Sequence, residues 1–240
     1  MAKFAEDAGM DQIAALKKKV AHKQVNLLEP GPGTPWEDRG SAGAVGAFFK
    51  TVAMALSAPR RLLALIRRPE TPGDARVLTI IYGVFWGLGW WIQDFLGYQK
   101  LQDPPRGQDP MMMSELLRVW LIHMALAVGG AWVLLNLVTQ VFHKLVSQGQ
   151  QGAKAPPVLI YNVFAYLMAP SLFALIPFGI GPAVAVVWIV LLWATAGSGR
   201  LGLTFGNGLV CTLISAGLVL GGAVGVYFGV LKLLSALGYV

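Results

Sequence analysis

The chain has 240 residues, of which 55% are hydrophobic and 13% charged, with a formal net charge of +7. Soluble domains carry about 25% charged residues, and at a mean hydropathy of +0.60 the apolar excess is too large for one soluble core, so the composition reads as a membrane protein with several spans. It excludes an acidic disordered tail, a collagen-like repeat and a disulfide-stapled module; the single cysteine, Cys211, also excludes an intrachain disulfide and a cysteine metal cluster.

Residues 1–42 form a hydrophilic arm with six basic and six acidic side chains, and no signal-peptide pattern opens it. Ile13, Leu16 and Val20 recur at helical spacing beside Lys17, Lys18 and Lys19, which predicts a short helix. Pro30-Gly31-Pro32-Gly33-Thr34-Pro35 breaks any helix and reads as a linker. An arm of this kind is ordered when something holds it, and a partner protein is the expected holder.

Residues 43–76 carry a charge of +4. Val45, Phe48, Phe49, Val52 and Leu56 share one helical face, Pro59 ends or bends the helix, and Arg60, Arg61, Arg67 and Arg68 flank the apolar run Leu62–Ile66. This predicts amphipathic helices in the membrane interface, with Lys50, Arg60, Arg61, Arg67 and Arg68 contacting lipid headgroups. The alternative, a further span, would place an arginine pair near its end. Basic charge beside a membrane meets anionic lipid, so no nucleic-acid partner is expected.

Five spans are expected in residues 77–240, at about 77–98, 119–142, 157–178, 182–199 and 207–231. Pro170, Pro177, Gly179, Gly181 and Pro182 crowd the join between the third and fourth, so these two alternatively form a shallow hairpin. Lysine and arginine concentrate in residues 1–76 and in the loops bearing Lys144, Lys154 and Arg200. That bias puts the amino terminus in the cytoplasm and the carboxy terminus outside. Trp90, Trp91 and Trp120 then fall at one outer interface, where amphipathic indoles belong.

The order of parts resembles a known family. Phe48-Phe49-Lys50 and Ala58-Pro59-Arg60-Arg61 precede the bundle, and Leu175-Ile176-Pro177-Phe178-Gly179-Ile180-Gly181 is followed by Val187-Trp188-Ile189-Val190-Leu191. Over roughly residues 45–232 this is similar to the bacterial branch of the Yip (Ypt-interacting protein) family. The resemblance implies an all-α, five-helix transmembrane bundle with a cytoplasmic amino terminus, in the bacterial inner membrane. Eukaryotic members organise membranes and bind small GTPases. Their signatures Asp-Leu-Tyr-Gly-Pro and Gly-Tyr-Pro-Lys are absent from the sequence, so GTPase binding is not carried over.

Catalytic chemistry finds little material. No acidic side chain follows Glu115. His123 and His143 stand twenty residues apart, about 30 Å along one helix, and cannot share a metal. There is no His-x-x-x-His or Cys-x-x-Cys, which excludes a zinc protease or di-iron site. Ser171 and Ser215 lack an orienting acid downstream. Asp94 and Arg118 lie near the outer ends of adjacent antiparallel spans, an expected intramembrane ion pair that latches the two helices.

Gly217, Gly221, Gly225 and Gly229 recur every four residues in the fifth span. Such a strip packs closely against a helix of the same bundle, or docks a partner or second copy. Ala125, Gly129 and Gly130 in span two are expected to receive a neighbour. The sequence therefore points to a non-enzymatic scaffold or accessory subunit, without cofactor but with bound phospholipids. Its expected partners are membrane lipids and other integral membrane proteins, met through residues 1–42 and span five. The alternative is a small transporter or lipid-handling protein that uses the proline-broken third span.

Overall fold

The computed structural model describes residues 31–67, 71–101, 113–149, 155–177, 179–199, 201 and 203–236. Among these, all regular structure is helical. Three short helices, α1 (Arg39–Ala42), α2 (Ala44–Ser57) and α3 (Pro59–Leu65), precede two long ones, α4 (Gly73–Leu101) and α5 (Met113–Gly149). Then come α6 (Pro157–Tyr166), a 3₁₀ segment (Ala169–Leu175), α7 (Ile180–Gly199) and α8 (Phe205–Ala236).

Helices α4, α5 and α8 contain stretches long and apolar enough to cross a membrane, Gly73–Gln93, Trp120–Gln148 and Phe205–Gly222. A fourth such element is bent: α6 and the 3₁₀ segment meet at 44°. The bend follows from Pro170, which has no amide hydrogen to continue an α-helical ladder. The chain tightens instead, with Met168 N–H donating to Ala165 O (3.2 Å) and Ser171 N–H to Met168 O (2.9 Å). The apolar described stretch of α7, Ile180–Ala196, is shorter. The described residues thus form an all-helical membrane protein with three such helices, or four with the bent pair.

The broken element is the centre of the molecule. Every residue from Leu159 to Ser171 is buried, and α4, α5 and α7 pack around it. Its sequence is apolar on all sides, as a segment enclosed by other helices requires. Phe164 stacks on Trp193 of α7 (centroids 4.4 Å) and meets the edge of Phe142 of α5 (5.0 Å). The Trp193 indole N–H donates to Phe164 O at 3.0 Å. Asn162 donates to Thr71 O at 3.0 Å, which fastens α6 to the segment preceding α4.

The short helices lie against this bundle. Pro59, with its fixed φ, starts α3 and ends α2 at Ser57. The apolar face expected on α2 is divided: Phe48 and Val52 are buried, while Val45 and Phe49 are exposed. The buried face is turned toward Ala47, Thr51 and Ala55, small side chains that let helices approach. Phe48 reaches Tyr82 and Phe85 of α4, with centroids at 5.9 and 5.8 Å.

Residues 31–39, which include most of the expected Pro30–Pro35 linker and belong to the arm 1–42 expected to be held by a partner, are held by the chain itself. Gly31 and Gly33 N–H donate to Ile66 O (2.7 Å) and Leu65 O (2.8 Å). A Cβ on Gly31 would stand 2.5 Å from Ala64 O, so only glycine fits there. Thr34 and Glu37 cap each other: Thr34 N–H donates to the Glu37 carboxylate (2.7 Å) and Glu37 N–H to Thr34 Oγ1 (3.2 Å). Trp36 is buried, its indole N–H donating to Asp74 O (3.3 Å) and its face covered by Arg39 (4.8 Å). Arg39 pairs with Asp74 at 2.5 Å. The expected helix around Ile13, Leu16 and Val20 lies outside the described residues.

Candidate functional site: the lateral face of the bundle

Helix α8 has one closed and one open side. Gly208, Thr212, Ser215 and Val219 are buried toward α7 and α5. On the other side Val210, Leu213 and Ile214 are exposed, and at the same helical spacing come Gly217 and Gly221. Among the described residues, a Cβ added at either glycine would meet nothing within 4 Å. Among the described residues, the packing partner within the bundle that the four-residue strip admits is therefore absent at these two positions. Gly225 and Gly229 continue along α8, with surroundings outside the described residues.

Close helix packing within the bundle occurs elsewhere. Gly83-Val84-Phe85-Trp86-Gly87 on α4 is a Gly-x-x-x-Gly sequence. A Cβ on Gly83 would lie 2.7 Å from Val128 Cα, and one on Gly87 2.7 Å from Met124 Sδ and 3.0 Å from its Cα. Gly89 takes the backbone of Ala174 in the 3₁₀ segment equally closely. Helix α5 thus receives α4 at Met124, Ala127, Val128 and Ala131. The expected acceptor face does not serve: Ala125 is exposed, and Gly129 and Gly130 have open space at Cβ.

An apolar cavity of about 360 Å³ opens between α4, α5, α7 and α8, bordered by Trp86, Leu135, Met168, Trp193, Ala216 and Val219. Met168 lies at the break between α6 and the 3₁₀ segment, so the proline-broken element forms one wall.

The expected charged residues are dispersed. Lys50, Arg60 and Arg61 are exposed, and Arg68 lies outside the described residues. Arg67, expected at lipid headgroups, is committed within the chain. Its guanidinium donates to Pro32 O (2.6 Å) and to Asp38 (2.7 Å), while its backbone N–H meets the Glu37 carboxylate (3.1 Å). Trp91 and Trp120 meet at 6.0 Å and Trp90 meets His123 at 5.6 Å, so the expected tryptophan level is one end of the α4–α5 pair. Arg118 is exposed near that level; the Asp94 side chain lies outside the described residues. Among the described residues no group of three His, Cys, Asp or Glu side chains converges as a metal site. His143 instead contacts Ala155 O at 3.0 Å.

Comparison with protein-family models, curated proteins and solved structures finds no match to the chain.

Proposed function

We propose that the protein is a non-enzymatic scaffold or accessory subunit that packs beside a larger membrane assembly. In this reading α7 completes a five-span, Yip-like bundle in a bacterial inner membrane, with the amino terminus cytoplasmic and the carboxy terminus periplasmic. The contacts are made by residues 1–42 and α8, and no cofactor is required. One observation carries the proposal: Gly217 and Gly221 stand open on an exposed apolar face, whereas the α4 glycines are filled by α5. Without a hydrophobic driving force between helices in lipid, small-residue faces are what permit close helix association.

The test is gentle extraction of the native protein, followed by crosslinking and native mass spectrometry. A fixed-stoichiometry complex is expected, and Gly221→Leu together with Gly225→Leu should strip the partner away. A complex that survives both substitutions rejects the docking face. A pure dimer assigns it to a second copy.

The cavity favours a second reading, lipid handling. Its volume of about 360 Å³ falls within the range of roughly 300–1,000 Å³ usual for ligand sites, and its lining suits an acyl chain. Reconstituted protein should then move lipid between leaflets, at a rate altered by Pro170→Ala. Zero movement across a broad lipid panel rejects this reading.

A further inference from the structure

A second cavity, of about 110 Å³, lies at the end of the bundle where α4 and α6 both begin. Its lining mixes polar and apolar groups, unlike that of the large apolar one. It is bordered by Arg76, Asn136, Thr139, Gln140 and Tyr161, with Pro72, Pro157 and Val158 at the two helix starts. Among the described residues no carboxylate lines it. The nearby Asp74 is engaged by Arg39 at 2.5 Å, and among the described residues Arg76 forms no ion pair.

Three independent features point the same way. The first is a buried donor: Thr139 is only 3% exposed, and among the described residues its hydroxyl has no hydrogen-bond partner. A buried hydroxyl without a partner is costly, and this one belongs to a residue that borders the cleft. The second is field: the amino-terminal ends of α4 and α6 both reach the cavity, and each carries the positive end of a helix dipole. The third is the Arg76 guanidinium, whose planar fork matches phosphate oxygens. Tyr161 is a wall, not a donor. Thr79 gives its proton to Ala75 O at 2.9 Å, so the Tyr161 hydroxyl, 3.2 Å away, donates to Thr79.

From this geometry we infer that the Arg76–Thr139–Gln140 cleft binds a phosphate-bearing anion. The setting fits a phospholipid headgroup: Trp132 and Leu137, large apolar side chains near Asn136 and Gln140 in the sequence of α5, are both 47% exposed, a surface suited to acyl chains. A soluble phosphate presents the same chemistry. Anion binding here is separate from the scaffold reading, since among the described residues neither α8 nor residues 31–42 contribute to the cleft.

The full-length protein in detergent would be titrated with dioctanoyl phosphatidylglycerol and, separately, with inorganic phosphate, and adducts counted by native mass spectrometry. One saturable lipid adduct is expected. Arg76→Gln should weaken it about tenfold or more, and Thr139→Val by about two- to tenfold. Arg76→Lys should bind between wild type and Arg76→Gln, and Arg118→Gln, exposed toward the other end of α5, should bind as wild type does. Saturable, Arg76-dependent phosphate binding without a lipid adduct supports the site and assigns it to a soluble anion. Adducts indifferent to both Arg76→Gln and Thr139→Val, or no saturable adduct with either probe, overturn the inference. Were Arg76→Gln to misfold, the Thr139→Val arm decides alone.

Discussion

Two helices carry glycines four residues apart. On α4, Gly83 and Gly87 lie against α5 so closely that a methyl group on either would press on Val128 or Met124. On α8, Gly217 and Gly221 lie beside open space, with Val210, Leu213 and Ile214 exposed around them. Spacing alone does not separate the two sets, because both strips let a backbone approach. What separates them is topology. Helix α5 follows α4 and packs antiparallel to it, so the α4 strip is filled within the chain. Helix α8 turns its other side, through Thr212, Ser215 and Val219, toward α7 and α5. A strip that the described residues leave unfilled is the kind of face that the proposed docking uses.

Leucine substitutions should break this comparison most sharply on α4. Gly83→Leu or Gly87→Leu inserts a side chain where α5 already sits, and overpacking of this kind costs about 1–3 kcal/mol. The expected outcome is a lower melting temperature in detergent for each variant, with partner binding lost only through unfolding. A smaller change suffices at Gly89. The atoms that a Cβ would meet there belong to the Ala174 backbone, which cannot rotate away, so Gly89→Ala should itself cost about 1 kcal/mol. An unchanged melting temperature for Gly83→Leu would show that the α4–α5 contact is looser than described.

The helices themselves were legible. Apolar runs placed α4, α5 and α8, and Pro59 and Pro170 marked real breaks, because a missing amide hydrogen acts wherever it occurs. The packing was less legible. Pro30–Pro35 spells a linker by composition, yet residues 31–36 are fixed by groups distant in sequence: Leu65 and Ile66 carbonyls, Asp74, and Tyr166, whose hydroxyl accepts from Thr34 at 3.3 Å. Arg67 read as a lipid-facing charge for the same reason, since Pro32 O and Asp38 become its partners only once the chain folds back. The Gly83–Gly87 pair was visible in the sequence but shorter than the four-glycine run on α8, and length of pattern is a poor guide to which strip is filled. The cleft at Arg76 needed three helices brought together, and no local spacing announces that.

The smallest expected effects lie on α8, and they discriminate best. Gly221→Leu adds a side chain to open space, so the isolated protein should keep its stability within about 0.5 kcal/mol, as surface substitutions do, while assembly is lost. Gly217→Ala is gentler still. In water, replacing a helical glycine by alanine gains about 0.5–1 kcal/mol, because the unfolded chain loses freedom. Within a bilayer the backbone stays helical even in the unpacked state, since unsatisfied amides are not tolerated there, and most of that gain disappears. Gly217→Ala should therefore leave the melting temperature nearly unchanged, and a single methyl group should weaken partner association only slightly. A clear fall in stability for this variant would mean that a neighbouring helix already covers Gly217, and the difference between α4 and α8 would then be one of degree.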